Sequence, residues 1–535
     1  MNKNTNTKRY RTAAVVYITL FSLISLSFLT LFPYVHSDES WLAGLTRAMM
    51  TEKSPAATEP FFDAKPRHPH SIKILFHLIQ MIPLSLFGYS AFSVRLVSWA
   101  AGAVALWFAF LAGGRLLDSE KKGLLVMAVF SVDIQFLYAS HFARQEILLC
   151  MVQWICLWIL LSPEGFYDER RGVGLGILTG LSIGLHPNSF LLGCMNGCCF
   201  LAAAFMKRKG REGREGGWKP LLLYVLTTGG FAAVFVGMSL GMDREFVSHY
   251  AAYGQAKFGT GAPFWEKIGG FFGFLRRLYE RNSGTYYLPD IRPQFFFFGV
   301  SALAAGAAAV SMREEMPGLA GRTAVLGAGA LGIAGGMMCI GRYNQTSVLF
   351  FFPFGYLAAA MALELYEGRV KMGLWAVLGA AAVSFTFWQA VPEIKKTDYD
   401  SYGRQIAELV PEGAKVLGNL NMEFFTEYGC LRDYRNLPYA LEGEGLLEYL
   451  DRNEIEYIVY HEELDYLWEH RPYYNVIYGN VMFVRELRDY CEEHCQVAGS
   501  FQNSRYGIRV AGILGREEYG QVTVYRRASS SSSRR

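Results

Sequence analysis

Two carboxylates stand side by side where the first apolar stretch of the chain ends. Asp38 and Glu39 lie in the segment PYVHSDESWLAGL, residues 33–45, and an amphipathic run follows them directly. A carboxylate just outside the hydrocarbon of a membrane can accept the proton of an attacking hydroxyl group, which is general-base catalysis. The alternative is a pair of charges that is merely solvated. We take the pair as a candidate catalytic site.

Basic and polar side chains recur at other junctions between apolar stretches. Guanidinium groups bind phosphate oxygens through two parallel hydrogen bonds, so they suit an anionic substrate. Each of these residues also has a structural alternative. A single basic side chain at the end of a span often only extends its charged end to the membrane interface, and a histidine before a proline can simply cap a helix. The residues concerned are Arg67 and His68 in RHPH, His141, Arg144 and Glu146 in HFARQE, His186 in LHPN, and Arg342 and Tyr343 in RYNQ.

The bulk composition places most of the chain in a membrane. Of its 535 residues, 52% are hydrophobic and only 18% are charged, whereas a soluble chain of this length carries more charge. The apolar residues come in blocks of about 20, the length that crosses the hydrocarbon core of a bilayer. The composition therefore predicts an α-helical polytopic membrane protein and excludes an ordinary soluble enzyme.

Eleven apolar blocks are predicted membrane spans, and basic residues orient them. Lysine and arginine collect in short cytoplasmic loops. The basic segment 207–219 faces the cytoplasm only if the further apolar helix 71–88 does not cross, so we expect 71–88 to lie on the outer membrane surface; a short true span is the alternative. The N-terminus is then cytoplasmic, and the candidate residues share the outer face. The predicted spans are 12–34, 95–114, 122–140, 144–161, 173–186, 188–206, 220–240, 294–312, 323–341, 347–366 and 372–391.

The chain changes character after Val391. The segments AKVLGNLN and EYIVYHEEL have the pattern of strands, and GEGLLEYLDRNE between them has that of a helix. We therefore predict a small extracytoplasmic α/β domain. The predicted division is a transmembrane domain at 1–392 with outer loops 35–94 and 241–293, the α/β domain at 393–527, and a disordered tail at 528–535.

Five stretches, in order, resemble the membrane glycosyltransferases with the GT-C fold. DESWLAGLTRAM at 38–49 is similar to their first-loop motif DExxYxxIxRxM. The other four are RHPHSIKILFHLIQMIPLSLFGYSAFSVRLVSWAAG, GRLLDSEKKGLLVMAVFSVDIQFLYASHFARQEILLCM, GVGLGILTGLSIGLHPNSFLL and RYNQTSVLFFFPFGYLAAA. The match runs over roughly residues 12–366. No single motif is specific to this group of enzymes, but the five motifs in this order are. The families it resembles most are the bacterial aminoarabinose transferases and the protein O-mannosyltransferases.

The resemblance implies transfer of a sugar from a polyprenyl-phosphate donor at the outer membrane face. The first acid of the loop motif, here Asp38, would act as general base on the acceptor, with Glu39 as its supporting neighbour. Glu146 stands where the family has a second acid. We expect the donor phosphate to be bound by Arg144 and Arg342, with Arg67 and His68 behind them, in a pocket also lined by His141, His186 and Tyr343.

Two positions depart from the family pattern. The aminoarabinose transferases carry Glu-Lys-Pro where this chain has Arg67, His68 and Pro69, so the lysine thought to touch the donor phosphate is missing. A lysine is also common where His186 sits. Both departures leave the identity of the donor sugar open.

Two other classes of function compete with an enzyme. A transporter or flippase for lipid-linked sugars would place charges near the bilayer midplane, where Asp133 is the main one. A non-catalytic binder or sensor would not need the acidic pair. We favour the enzyme, in a bacterial cell membrane, with a lipid, cell-wall polymer or protein acceptor and no nucleic-acid partner. The segment CEEHC, with Cys491 and Cys495, could bind a metal or form a tight disulfide, but it lacks a second pair of ligands. We expect no cofactor or metal, because the sequence shows no metal motif and the resembled families imply no catalytic metal for the base step.

Overall fold

A computed structural model describes residues 3–162, 168–207, 218–281, 286–312, 314, 318–396, 398–470, 483–509 and 514–528. Within these ranges the chain is mostly helical, with one small sheet near its C-terminal end. The predicted tail beyond residue 528 and most of the basic loop 207–219 lie outside the described residues.

Sixteen α-helices precede the sheet domain in the part of the chain that the structure describes. A 3₁₀ turn, Gln345–Phe351, leads into the fifteenth. The helices are α1 (Lys3–Leu26), α2 (Ser37–Thr51), α3 (Ile74–Phe87), α4 (Ala91–Leu116), α5 (Glu120–Ser131), α6 (Ile134–His141), α7 (Glu146–Leu160), α8 (Glu169–Ile183), α9 (Ser189–Lys207), α10 (Trp218–Met242), α11 (Phe246–Phe258), α12 (Phe264–Tyr279), α13 (Arg292–Ser311), α14 (Leu319–Ile340), α15 (Phe352–Ala362) and α16 (Gly368–Lys396).

Six helical stretches among the described residues are long and apolar enough to cross a membrane, or seven if a bent pair counts as one span. The bent pair is α5 and α6, which meet at 70° inside the predicted span 122–140. The break has a local cause, because the side chain of Asp133 accepts the backbone N–H groups of Gln135 and Phe136 and so starts a new helix. Helices α3, α7 and α9 are shorter and apolar. The count of eleven spans stays a prediction.

Helix α3 covers most of the ambiguous segment 71–88. Its 14 residues extend about 21 Å, which is less than the roughly 30 Å of a bilayer core. One side of the helix exposes Ile82 and Leu86, whereas His77 and Gln80 on the other side are buried. This geometry agrees with an interfacial helix.

The first helix is shorter than its predicted span. It ends at Leu26, and a turn region leads to α2, which carries the acidic pair in its first turn. His36 caps α2: its ring accepts the N–H of Asp38, and its own N–H donates to the side chain of Glu39. Carboxylates are favoured at this end of a helix, where the backbone N–H groups are unpaired.

The predicted C-terminal α/β domain is confirmed. Its sheet has the order β2-β1-β3-β5-β4; β2, β1 and β3 run parallel, and β5 is antiparallel to both of its neighbours. The strands are β1 (Val416–Gly418), β2 (Leu431–Asp433), β3 (Tyr457–His461), β4 (Cys495–Gln502) and β5 (Gln521–Arg527). The helices are α17 (Tyr399–Leu409), α18 (Leu437–Gly443), α19 (Leu446–Arg452), α20 (Glu463–His470) and α21 (Phe483–His494).

This domain packs on the segment 35–94, the first predicted outer loop. The side-chain amide of Asn436 donates to the carbonyl of Phe61 at 2.8 Å. Nearby, Arg47 of α2 lies 3.5 Å from the buried carboxylate of Glu423, which also accepts the hydroxyl of Tyr89 at 3.2 Å. These contacts hold the C-terminal domain over the end of the helical bundle where α2 begins.

Candidate active site

A cavity of about 420 Å³ opens beside the start of α2. Among the described residues, one carboxylate lines it, that of Asp38, together with five arginine or lysine side chains. The basic residues are Arg67, Lys73, Arg144, Arg342 and Arg435, and the aromatic ones include Trp41, Tyr250, Tyr253, Tyr286 and Tyr343. Such an arrangement suits an anionic ligand next to a single proton acceptor.

Asp38 faces this cavity with 29% of its side chain exposed. Its Oδ2 accepts hydrogen bonds from the guanidinium of Arg144 and from the hydroxyl of Tyr286. The ring of Tyr286 stacks on His36, with the two centroids 4.4 Å apart. Burial raises the pKa of Tyr286 and lowers that of His36. Asp38 is thus held by a cation and a neutral phenol.

Glu39 points away from the cavity and is 1% exposed. Its two oxygens accept from Nε and Nη2 of Arg95 at 2.8 and 2.7 Å, and one also accepts the N–H of Ala143 at 2.8 Å. Arg95 in turn donates to the carbonyls of Leu29 and Pro33. The ion pair between Glu39 and Arg95 therefore holds in place the chain segment that carries Asp38. Glu39 would support Asp38 through the structure and not through direct contact with a ligand.

Glu146 is buried and does not line the main cavity. It accepts from Nε and Nη2 of Arg144 at 3.2 and 2.9 Å and from the hydroxyl of Thr346 at 2.7 Å. The carboxylates of Glu146 and Asp38 thus both pair with the buried guanidinium of Arg144. Glu146 positions the guanidinium that in turn contacts Asp38.

Arg342 and Tyr343 reach the cavity from the end of α14. Gly341 has a φ of +77°, and a Cβ at that position would lie 2.8 Å from the side chain of Lys267. Glycine therefore lets the chain leave the helix and carry Arg342 to the cavity wall. Arg342 hydrogen-bonds the hydroxyl of Tyr250, and the hydroxyl of Tyr343 donates to the carbonyl of Lys267.

His186 lines the cavity, whereas His141 does not. The Nδ1 of His186 accepts the N–H of Asn188 at 3.0 Å, so the capping role holds. His141 is fully buried beside Phe28, and its ring contacts the carbonyl of Phe32 at 3.2 Å. The structure therefore does not bring His141 to this cavity, because α6 places its side chain in the protein core.

Arg67 and His68 both line the cavity, with different partners. Arg67 is bound to both oxygens of Glu59, at 2.7 and 2.5 Å. His68 stacks on His249, and the ligand atoms of these two histidines and Asp243 lie within 4.8 Å of one another. A group of two imidazoles and a carboxylate could hold a divalent cation such as zinc.

Among the cavity residues that the sequence analysis did not name as functional candidates, two are charged and a third contacts Asp38. Lys73 directly precedes α3, Tyr286 lies in the predicted outer loop 241–293, and Arg435 comes from the C-terminal domain. Arg435 is bound to both oxygens of Asp433, and its guanidinium lies 5.0 Å from the ring of Trp41. The sequence could have indicated Lys73, because a lysine directly before an apolar helix is unusual. Tyr286 and Arg435 reach the cavity only through the folding of distant segments.

The chain matches one protein-family model and resembles known membrane-protein structures in fold. Residues 67–227 match the family model described as dolichyl-phosphate-mannose-protein mannosyltransferase. The crystal structure of ArnT from Cupriavidus metallidurans bound to undecaprenyl phosphate superposes with a TM-score of 0.54 at 11% identity, over 97% of this chain and 99% of that one. The chain has the GT-C fold. The apo state of the same ArnT gives a TM-score of 0.56 at 12% identity, over 86% of this chain and 95% of that one.

No curated protein sequence matches the chain. The GT-C fold agrees with the resemblance seen in the five ordered motifs, and it places those motifs around one cavity. The likeness in sequence is low, so the chemistry has to be argued from the residues of this chain.

Proposed function

We propose that the protein is a membrane glycosyltransferase that moves a sugar from a polyprenyl-phosphate donor to a hydroxyl acceptor on the extracytoplasmic side. One observation carries the proposal: within the described chain, Asp38 is the sole carboxylate that lines a cavity otherwise charged by lysine and arginine. Sugar transfer from a lipid phosphate needs a base for the acceptor and positive charge for the leaving phosphate. The likeness to a structure that holds undecaprenyl phosphate supports the choice of donor.

The acceptor and the leaving phosphate use different side chains of the cavity. The acceptor oxygen attacks the anomeric carbon of the donor sugar, and its proton passes to the carboxylate of Asp38. The bond between that carbon and the phosphate oxygen breaks, and the electron pair leaves with the polyprenyl phosphate. The leaving phosphate gains negative charge, which Arg342 stabilises as a cation of the same cavity. Arg144 orients the carboxylate of Asp38 before the attack.

The alternative hypothesis, a transporter or flippase, has less support. It relied on the charge of Asp133 inside a predicted span, but that carboxylate caps α6 and accepts the hydroxyl of Tyr356 at 2.6 Å. The carboxylate of Asp133 therefore stabilises the start of α6 at the bend between α5 and α6. A sensor without catalysis would not require an exposed acid held by an arginine and a phenol.

A transfer assay in reconstituted liposomes tests the proposal. Polyprenyl-phosphate sugars serve as donors, with membrane lipid, cell-wall polymer and peptide tried as acceptors, and binding of the donor is followed in parallel. We expect the wild type to form glycosylated product and the variant Asp38→Asn to bind the donor without forming it. A variant that forms product at the wild-type rate would contradict the proposal.

A further inference from the structure

The segment CEEHC of the C-terminal domain has no part in the proposed reaction. Its two cysteines are four residues apart, and the sequence leaves open a metal site or a disulfide. Cys491 lies in the last turn of α21, and Cys495 is the first residue of β4. Four residues of helix rise about 6 Å, which is within the roughly 4.4–6.8 Å that separates the Cα atoms of a disulfide. The spacing therefore suits a bond between the two sulfurs.

The structure does not support a metal site in this segment. In the described chain, no residue of CEEHC belongs to a group of three converging metal ligands. The third candidate ligand, His494, has 61% of its side chain exposed. Its ring packs on Tyr490 with the centroids 5.3 Å apart, and its Nε2 lies 3.7 Å from the carboxylate of Glu493. Zinc sites in proteins take at least three protein ligands, and the two cysteines supply only two.

The two thiols contact each other. The S–H of Cys491 donates a hydrogen bond to the sulfur of Cys495. Cys491 is 1% exposed and belongs to a hydrophobic core cluster of the domain, and the half-buried Cys495 packs against the same cluster. The third cysteine of this domain, Cys430, has a different partner, because its thiol donates to the carbonyl of Gly413 at 3.5 Å. The packing thus brings Cys491 and Cys495 together as a pair.

The two cysteines differ in the way that disulfide formation requires. The hydrogen bond from Cys491 lowers the pKa of Cys495 against burial, and the charge of Arg527, the partner of Cys495 across strands β4 and β5, adds to the lowering. The same hydrogen bond raises the pKa of Cys491. A thiolate is the attacking species in thiol–disulfide exchange. Cys495, which is also the more exposed of the two, is therefore the thiol that reacts first.

We propose that Cys491 and Cys495 form a disulfide bond that fastens the end of α21 to the start of β4, the edge strand of the sheet. The thiolate of Cys495 attacks a disulfide oxidant, and a mixed disulfide forms as one thiolate of the oxidant leaves. Cys491 loses its proton to water, its sulfur attacks that of Cys495, and the second thiolate of the oxidant leaves. The pair gives up two electrons and two protons, and the oxidant becomes two thiols. The inference depends on the predicted extracytoplasmic placement of the domain, where disulfides persist, and not on sugar transfer.

Mass spectrometry of the full-length protein tests the inference. Cells that make the protein are lysed in denaturant with N-ethylmaleimide, which alkylates free thiols, and the protein is digested with trypsin without reduction. The tryptic peptide 489–505 contains both cysteines. It should carry no alkyl group and weigh two hydrogen atoms less than its sequence, and after reduction it should accept two alkyl groups. Cys430, in the tryptic peptide 416–432, is the matched control from the same domain and should be alkylated without reduction.

Thermal unfolding of the purified full-length protein gives a second readout. A closed loop restricts the unfolded chain, so a reductant should lower the melting temperature of the domain by roughly 4–8 °C. Cys495→Ser should melt like the reduced wild type and ignore the reductant, whereas Cys430→Ser should still respond to it.

Three results would overturn the inference. The first is alkylation of both cysteines in the peptide 489–505 without reduction, and the second is a disulfide that joins either of them to another cysteine. The third is a wild type whose melting temperature does not change with the reductant, because the bond would then not fasten α21 to β4. None of these results bears on sugar transfer, which the assay with Asp38→Asn tests separately.

Discussion

Replacing Asp38 by asparagine removes the proton acceptor and keeps almost the same shape. A lost general base typically costs about 10²–10⁴ in rate, which corresponds to about 2.7–5.4 kcal/mol in the activation barrier. Arg144 stays anchored in this variant, because Glu146 still accepts two of its N–H groups. The side chain of Asp38 is 29% exposed, so we expect the free energy of unfolding to change by less than about 1 kcal/mol.

The neighbouring substitution Glu39→Gln is the matched control, since it makes the same chemical change one residue away. Glu39 is 1% exposed and neutralises Arg95, which is fully buried. Removing one partner of a buried ion pair leaves the other charge uncompensated and costs about 3–5 kcal/mol. Glu39→Gln should therefore lower the thermal stability while the molecules that remain folded keep most of their turnover.

The assay has two readouts for each variant. Thermal unfolding of the purified protein reports stability, and sugar transfer at saturating donor reports turnover per folded molecule. We expect Asp38→Asn to melt like the wild type and to turn over slowly. If Asp38→Asn keeps near-normal turnover while Glu39→Gln or Glu146→Gln abolishes it in folded protein, the general base has been assigned to the wrong acid.

Three further predictions concern the phosphate, the topology and the domain contact. Arg342→Ala should raise the donor concentration at half-saturation about ten- to hundredfold, and unchanged saturation in both Arg342→Ala and Arg144→Ala would place the phosphate elsewhere. A reporter fused within 207–219 should be accessible from the cytoplasm alone, so labelling from outside would refute the predicted topology. Burial raises the pKa of Glu423 to about 7, so its stabilising contribution is present below about pH 4.5 and is lost as the pH rises through 7. The fall in melting temperature between pH 5 and 8 should therefore be smaller in Glu423→Gln, and an identical fall would contradict this.

The fold was largely predictable because its signals are local. Apolar blocks of bilayer length indicate membrane helices, and short apolar runs in 414–421 and 456–464 indicated the strands now seen as β1 and β3. The 70° bend at Asp133 was not predicted. A single capping aspartate inside an apolar run looks like a buried charge until the helix on each side is known.

The candidate site was harder to predict because adjacent residues of a helix face different surroundings. Asp38 and Glu39 look equivalent in the sequence, yet one faces the cavity and the other faces Arg95, which lies 56 residues further along the chain. Tyr286 and Arg435 reach the cavity from still more distant segments. Such partners depend on tertiary packing, which no local pattern records.

The central claim is that the cavity cleaves a lipid-linked sugar and does not merely carry or bind it. The most direct measurement follows a donor labelled in both its sugar and its phosphate, in liposomes that contain the purified protein and an acceptor. We predict that each sugar transferred is accompanied by one molecule of polyprenyl phosphate, and that Asp38→Asn stops both. Movement of the intact donor across the bilayer, or its binding without release of polyprenyl phosphate, would contradict the account.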